Sequence, residues 1–153
     1  MKRIIGIIFL CVIVLSGCIV TNNYYSRIEK KDISDLNDTQ NIEFVYEYKG
    51  HTDNWAAVYF VYKLKDNDNH TSKMLLKHIG KQPLPNGELS YKFDTVGGGD
   101  GAGSLSTADS KDGIYNLGSS ESNGSLVSQN SIVKMQVNWN GLAETIELKP
   151  ELN

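Results

Sequence analysis

Cysteine is nearly absent from this chain of 153 residues, and both cysteines lie at its N-terminal end. Cys11 falls inside an apolar run, and Cys18 stands where that run ends. Neither a disulfide nor a cysteine-based metal site can therefore form within the part of the chain that follows residue 18. That part must be held together by its hydrophobic core, which one domain of this length can supply.

An excess of basic charge is also lacking. The chain has 15 Lys and Arg against 18 Asp and Glu, a formal net charge of −3 at pH 7, and the basic residues are scattered. Proteins that bind nucleic acid concentrate Lys and Arg on one face or in one stretch. The composition therefore argues against a nucleic-acid partner.

Long apolar runs are absent except at the N-terminus, where residues 4–20 follow Lys2 and Arg3. A basic start, an apolar stretch and then small residues form the layout of a secretory signal peptide. The run has 17 residues, which is the lower limit for crossing a bilayer as a helix. An uncleaved membrane helix and an ordinary secretory signal are therefore the two alternatives to a lipoprotein signal.

The apolar run ends in Leu15-Ser16-Gly17-Cys18, which resembles the lipobox of bacterial lipoproteins at every position. The resemblance implies that residues 1–17 are removed as a signal peptide and that the Cys18 thiol is the site of lipid attachment. The mature chain would carry a formal charge of −5, because Lys2 and Arg3 leave with the signal. It would be anchored in membrane lipid at the extracytoplasmic face of the cell membrane, and two acyl chains hold a protein there stably.

Residues 18–41 are polar, mixed in charge and poor in large apolar side chains. Such a segment buries too little surface to offset the entropy lost on ordering. The sequence therefore predicts a lipidated N-terminus followed by a flexible tether, which would span about 25 Å r.m.s.. Residues 150–153 are predicted to form a short C-terminal tail.

Alternation of apolar and polar residues predicts strands from residue 42 onward. Residues 55–65 are apolar on both faces, which indicates a central strand that is covered on both sides. Near the C-terminus, residues 133–139 and 142–148 alternate around Asn140-Gly141, the strongest short signal for a β-hairpin. A two-residue turn there sets a register with three apolar pairs: Trp139–Leu142, Met135–Ile146 and Val133–Leu148.

Seven or eight short strands and no convincing helix are predicted in residues 42–149. The expected fold is therefore all-β, an antiparallel two-sheet sandwich over residues 42–149. The Cys…Trp…Cys spacing of true immunoglobulin domains is missing, so the expectation is an immunoglobulin-like architecture only. A small barrel is the alternative.

Four stretches after the lipobox carry a second resemblance. They are Trp55 at the start of a β run, Tyr91-Lys92-Phe93 before a Gly-rich stretch, residues 118–124 and residues 137–149. Together with the lipobox, they resemble small, mostly uncharacterised lipoproteins of Gram-positive bacilli. The resemblance implies a β domain at the cell surface, and it brings no catalytic residues.

Three motifs of ligand-binding or catalytic proteins are approached but not matched. Residues 66–70 open like a calcium-binding EF-hand loop, but Thr71 and Lys77 stand where Gly and Glu are needed. Residues 97–103 lack the Gly-Lys-Ser/Thr of a phosphate-binding loop, and a mobile loop or a strand edge that another backbone approaches is the better interpretation. Residues 131–134 fit Ser-x-x-Lys without the partner motifs of penicillin-recognising enzymes. The sequence predicts no metal, no cofactor and no catalytic residue.

Loops commonly carry the binding sites of a β domain, while the strands set the frame. Two predicted loops, residues 97–103 and 118–124, are built of Gly and Ser and contain few acids. Such loops can adapt to a partner chain, so the hypothesis is a non-catalytic domain that binds a protein, a peptide or an envelope component. The candidate binding residues are Gly97, Asp100, Gly103, Glu121 and, from an aromatic face, Trp55. The alternative is an enzyme or enzyme accessory acting at the cell wall.

Overall fold

The computed structural model describes residues 23–151, which fold into eight β-strands with no α-helix among them. The strands are β1 Ile42–His51, β2 Trp55–Leu64, β3 His70–His78, β4 Glu88–Thr95, β5 Gly99–Ser106, β6 Ile114–Ser122, β7 Val133–Trp139 and β8 Leu142–Pro150. Four single turns of 3-10 helix are Lys30–Asp32, Ser34–Leu36, Thr39–Asn41 and Thr107–Asp109. The predicted all-β class is confirmed. Within residues 23–151, no helix has the length and apolar character that a membrane span requires.

The strands form one continuous antiparallel sheet in the order β5-β4-β7-β8-β1-β2-β3-β6. β1 and β8 are joined by only two residue pairs, Tyr48 with Pro150 and Lys49 with Lys149. The sheet folds over along this seam, so that its two halves enclose one core in a nearly closed, barrel-like arrangement. Two separate sheets are therefore not confirmed. Pro150, predicted to begin the C-terminal tail, is the last residue of β8.

The C-terminal hairpin has the predicted register. Asn140 and Gly141 have φ angles of 48° and 75°, the left-handed pair that a two-residue hairpin turn needs. Glu144 lies at the rim of the core, where its carboxylate accepts hydrogen bonds from the Thr52 hydroxyl and the Asn54 side-chain amide. The three predicted apolar pairs are all present: Trp139–Leu142, Met135–Ile146 and Val133–Leu148.

The main hydrophobic core lies between the two halves of the sheet. Because side chains alternate along a strand, every second residue of β2 and β7 points into it. Each of these residues is at most 4% exposed. They are Trp55, Ala57, Tyr59 and Val61 from β2, and Val133, Met135, Val137 and Trp139 from β7.

The other face of β2 is buried too, as its apolar sequence predicted. The covering segment is residues 23–41, which contribute Ile28, Ile33 and Leu36, each at most 2% exposed. They pack against four alternate residues of β2, which are Ala56, Val58, Phe60 and Tyr62.

The prediction of a flexible tether is therefore wrong for residues 23–41, while residues 18–22 lie outside the described part of the chain. Burying one large aliphatic side chain contributes about 1.5–3 kcal/mol, and the partly buried rings of Tyr24 and Tyr25 pack against the same cluster. Two polar contacts also hold the segment: the Tyr62 hydroxyl donates to the Asp35 carboxylate at 2.6 Å, and Arg27 pairs with Asp112 at 2.8 Å.

Candidate functional site

The two predicted Gly/Ser loops are largely strands. Residues 99–106 pair with β4 as β5, and residues 114–122 pair with β3 as β6, so Asp100, Gly103 and Glu121 lie in strands. Gly97 alone lies in a turn, with a φ of 82°. The loop prediction is wrong because backbone hydrogen bonding does not need large side chains, and here neighbouring strands supply the packing.

Two aromatic rings of β4 cover two of the three glycines of β5. The Phe93 ring lies where a Cβ on Gly101 would stand, and the Tyr91 hydroxyl lies 2.9 Å from the corresponding point at Gly103. A larger residue at either position would displace a ring. Glycine is therefore required here by close packing, and not by mobility.

β5 and β6 are the two ends of the sheet order, so each has one edge without a neighbouring strand. Because the sheet is folded over, these two edges face each other across a cleft of about 210 Å³. Within residues 23–151 no strand pairing joins β5 to β6. The cleft is lined by Asp100, Gly101 and Ala102 on one side, by Leu117, Gly118, Ser119 and Ser120 on the other, and by Tyr59, Ser72, Lys73, Met74, Tyr91 and Phe93 between them.

The floor of the cleft combines apolar surface with two tyrosine hydroxyls. The Tyr59 and Phe93 rings lie 5.7 Å apart, and the Tyr91 hydroxyl donates to the Leu117 carbonyl at 2.8 Å. Burial raises the pKa of Tyr59, with an opposing hydrogen bond to Ser72, and burial also raises the pKa of Tyr91. Both tyrosines are therefore neutral hydroxyls at physiological pH and can donate or accept a hydrogen bond.

The β6 side of the cleft is irregular. The register between β3 and β6 shifts between Lys73 and Leu75, and Gly118 has a φ of 103° at that place. Beyond the shift, the Ser72 and Ser120 hydroxyls are 2.8 Å apart. A bulge of this kind bends a strand and interrupts the straight row of backbone groups along its edge.

Trp55 does not contribute to the cleft. It is fully buried at the start of β2, about 13 Å along the strand from Tyr59. Its ring lies 5.2 Å from Trp139 and 5.0 Å from His78. Burial lowers the pKa of His78, and the charge of Glu144 opposes this. Trp55 is therefore a core residue and offers no exposed surface to a partner.

The structure thus brings Asp100 to one side of the cleft and Ser119 and Ser120 to the other, with Glu121 next along β6. Leu15, Ser16, Gly17 and Cys18 lie outside the described residues. Among residues 23–151, no three His, Cys, Asp or Glu side chains are grouped so that they could hold a metal ion.

The roles of Tyr91 and Phe93 in the cleft were not predicted from the sequence. Both are at alternate positions of a strand that runs into a Gly-rich stretch, and large rings opposite glycines across a short hairpin are the signal that could have shown the packing. The predicted loop has seven residues, whereas only residues 96–98 separate β4 from β5, so the sequence did not predict that these strands pair.

Comparison of the chain with models of protein families, with curated proteins and with solved structures finds no match in any of the three. A functional conclusion therefore depends on the N-terminal motif and on the geometry of the cleft.

Proposed function

We propose that this protein is an extracytoplasmic lipoprotein, anchored in the cell membrane through Cys18, whose non-catalytic β domain binds a protein or peptide. The Leu15–Cys18 motif supports the anchor. The observation that carries the binding function is the cleft between the facing, unpaired edges of β5 and β6.

The lining of the cleft favours a peptide over a small molecule. Two of its walls are strand edges, which offer backbone N–H and C=O groups to another backbone. Tyr59, Tyr91 and Met74 on the floor are residue types that adapt to varied peptide side chains.

We further propose that the two halves of the sheet act as the two layers of an immunoglobulin-like sandwich. Only two residue pairs join them at the seam between β1 and β8, and each half presents one face to the shared core. The open side of this arrangement, opposite the seam, is the cleft.

The anchor places the domain close to the bilayer. Five residues lead from Cys18 to Asn23, where the described structure begins, and five residues reach at most about 18 Å when fully extended. Because residues 23–41 are packed on β2, the domain cannot move away from the membrane as it would on a longer tether. A partner must therefore come near the membrane surface.

The anchor is tested by replacing the two cysteines separately. We expect Cys18→Ala to abolish incorporation of a labelled fatty acid, whereas Cys11→Ala leaves it unchanged, because Cys11 is lost with the signal peptide. Gel fluorescence after metabolic labelling with an alkynyl fatty acid measures both. Label that persists on the Cys18→Ala variant would contradict the anchor.

Binding at the cleft is tested by photo-crosslinking in intact cells. A photoreactive amino acid is placed at Ala102, on the free edge of β5, or at Ala143, an exposed control position on β8 that does not line the cleft. We expect a crosslinked partner from position 102 and none from position 143, detected as a mass shift on a blot. Equal crosslinking from both positions would show that the cleft is not the binding site.

A further inference from the structure

The free edge of β5 lacks the usual protection against strand pairing. Soluble proteins protect an edge strand with Lys, Pro, bulges or a covering element. Residues 99–106 contain neither Lys nor Pro, and all eight pair with β4 in unbroken register from Glu88–Ser106 to Thr95–Gly99. The β6 edge, by contrast, is interrupted at Gly118. β5 is therefore the better template for an added strand.

A row of charged side chains crosses the outer face of the sheet and ends at this edge. Glu147 on β8 is opposite Lys134 on β7, Lys134 is opposite Asp94 on β4, and Asp94 is opposite Asp100 on β5. All four side chains are exposed, and Lys134 and Glu147 are 4.0 Å apart. The row ends in two carboxylates side by side, and like charges in directly opposite positions disfavour pairing.

The position that follows Asp100 in this row lies off the edge of the sheet. A strand added to β5 would place one residue there, and a cation at that position would offset the repulsion between Asp94 and Asp100. The neighbouring residues of the added strand would point to the inner side, where Gly101 has no side chain and the Phe93 ring is accessible beside the edge. An apolar side chain fits there.

We propose that β5 binds an extended peptide as an additional antiparallel strand, with a Lys or Arg of the peptide opposite Asp100 and apolar side chains on either side of it facing Phe93 and the floor of the cleft. This inference depends on the proposed peptide-binding function and specifies the ligand class and the mode of binding. Antiparallel pairing is chosen because it is the slightly more stable arrangement.

A single strand fits this position better than the edge of a second folded copy. The β5 edge faces the β6 edge across the cleft, and a second copy would bring its own sheet and side chains into that narrow space. The net negative charge of the chain also disfavours self-association and favours a basic partner.

The probes are short, capped peptides of alternating Val and Thr with Lys, Gln or Glu at the central position, titrated against the purified full-length protein in detergent. We expect the Lys peptide to bind about fivefold more tightly than the Glu peptide, with the Gln peptide between them. Methylation of alternate amides on the edge that pairs with β5 is expected to weaken binding at least about tenfold, because those N–H groups can no longer donate. Methylation of the intervening amides is the control.

Two variants locate the site. Asp100→Asn is expected to remove the preference for Lys over Glu while binding of the Gln peptide remains. Ala102→Lys, which adds a charge at the β5 edge, is expected to abolish binding, whereas Ala143→Lys adds the same charge on the exposed surface of β8, outside the cleft, and leaves binding intact. Amide hydrogen exchange must slow at residues 99–106 when the Lys peptide binds, and Tm shows that each variant is folded.

Equal affinity for the Lys and Glu peptides, or insensitivity to amide methylation, overturns strand addition. A dimer that ultracentrifugation detects without peptide and that Ala102→Lys abolishes would also overturn peptide binding. In that case a second copy of the chain occupies the β5 edge. If crosslinking in cells still captures a partner at position 102 while these peptides fail, the proposed function stands and the mode of binding does not. If neither experiment gives binding, both are wrong.

Discussion

The two faces of β2 are equally apolar but are covered in different ways. The inner face packs on the opposite half of the sheet, with Trp55 and Tyr59 in the main core. The outer face, with Phe60 and Tyr62, packs on residues 23–41, which contain only single turns of 3-10 helix. The difference shows that a strand apolar on both faces requires two covers, and that the second can be a segment with little regular structure.

The largest effect is expected in the inner core. Leu76→Ala removes a fully buried side chain of β3 from the main core, and such a substitution leaves a cavity that costs about 2–5 kcal/mol. Because both halves of the sheet enclose this core, the free energy of unfolding of the whole domain should fall, as measured by the urea midpoint. A loss well below about 1 kcal/mol would mean that the two halves do not share one core.

A smaller and local effect is expected in the outer core. Ile33→Ala removes a side chain that is 2% exposed between residues 23–41 and β2. The loss is limited to about 1–3 kcal/mol, because the segment can detach while the sheet stays folded. Amide exchange should rise at residues 28–36 before it rises in β7. If exchange rises equally at residues 28–36 and in β7, the segment unfolds together with the sheet, and the outer cover of β2 is not an independent unit.

A substitution in the hairpin between β7 and β8 tests whether destabilising the sheet also loosens the packing of residues 23–41 on β2. Gly141→Val places a β-branched residue at a φ of 75°, which costs on the order of 1–3 kcal/mol. We expect Tm to fall without faster exchange at residues 28–36. Gly141→Asn is the control, because the site has room for a side chain and asparagine tolerates a left-handed φ far better than a β-branched residue does. An unchanged Tm in Gly141→Val would show that the turn does not need this conformation.

Sequence patterns predicted the all-β class and the register of the C-terminal hairpin, because alternation and Asn-Gly turns act locally. They missed the cover formed by residues 23–41, where Ile28, Ile33 and Leu36 are only three apolar residues in a polar segment. The composition of the segment as a whole does not show that three widely spaced apolar residues can be buried. The second apolar face of β2 nevertheless indicated that some segment must cover it. The cleft was missed because it depends on where the sheet folds over, which brings β5 and β6 together from distant parts of the chain.

The smallest effect concerns the polar contact that holds the outer cover in place. The Tyr62 hydroxyl, buried beneath the segment, donates to Asp35 at 2.6 Å, and the Ser34 hydroxyl donates to the same carboxylate at 3.0 Å. These hydrogen bonds, chiefly that of Tyr62, lower the pKa of Asp35 below its ordinary value of 3.8. A carboxyl group whose pKa is lowered on folding contributes stability above its unfolded pKa and loses it as the pH falls through the folded pKa.

We therefore expect Tyr62→Phe to destabilise the docked segment by about 1 kcal/mol or less at about pH 7, since Asp35 is exposed and water screens its charge. The difference from the wild-type protein should shrink as the pH falls through the folded-state pKa of Asp35, because the Tyr62 hydroxyl bonds more weakly to a protonated carboxyl than to a carboxylate. Amide exchange at residues 28–36, corrected for intrinsic rates, measures the docking at each pH. Tyr46→Phe on the inner side of β1, where the ring stacks on Phe44 at 4.8 Å, is the matched control and should show no such pH dependence in the segment. A Tyr62→Phe deficit that stays constant down to low pH would mean that the hydroxyl acts through packing and not through the Asp35 carboxylate.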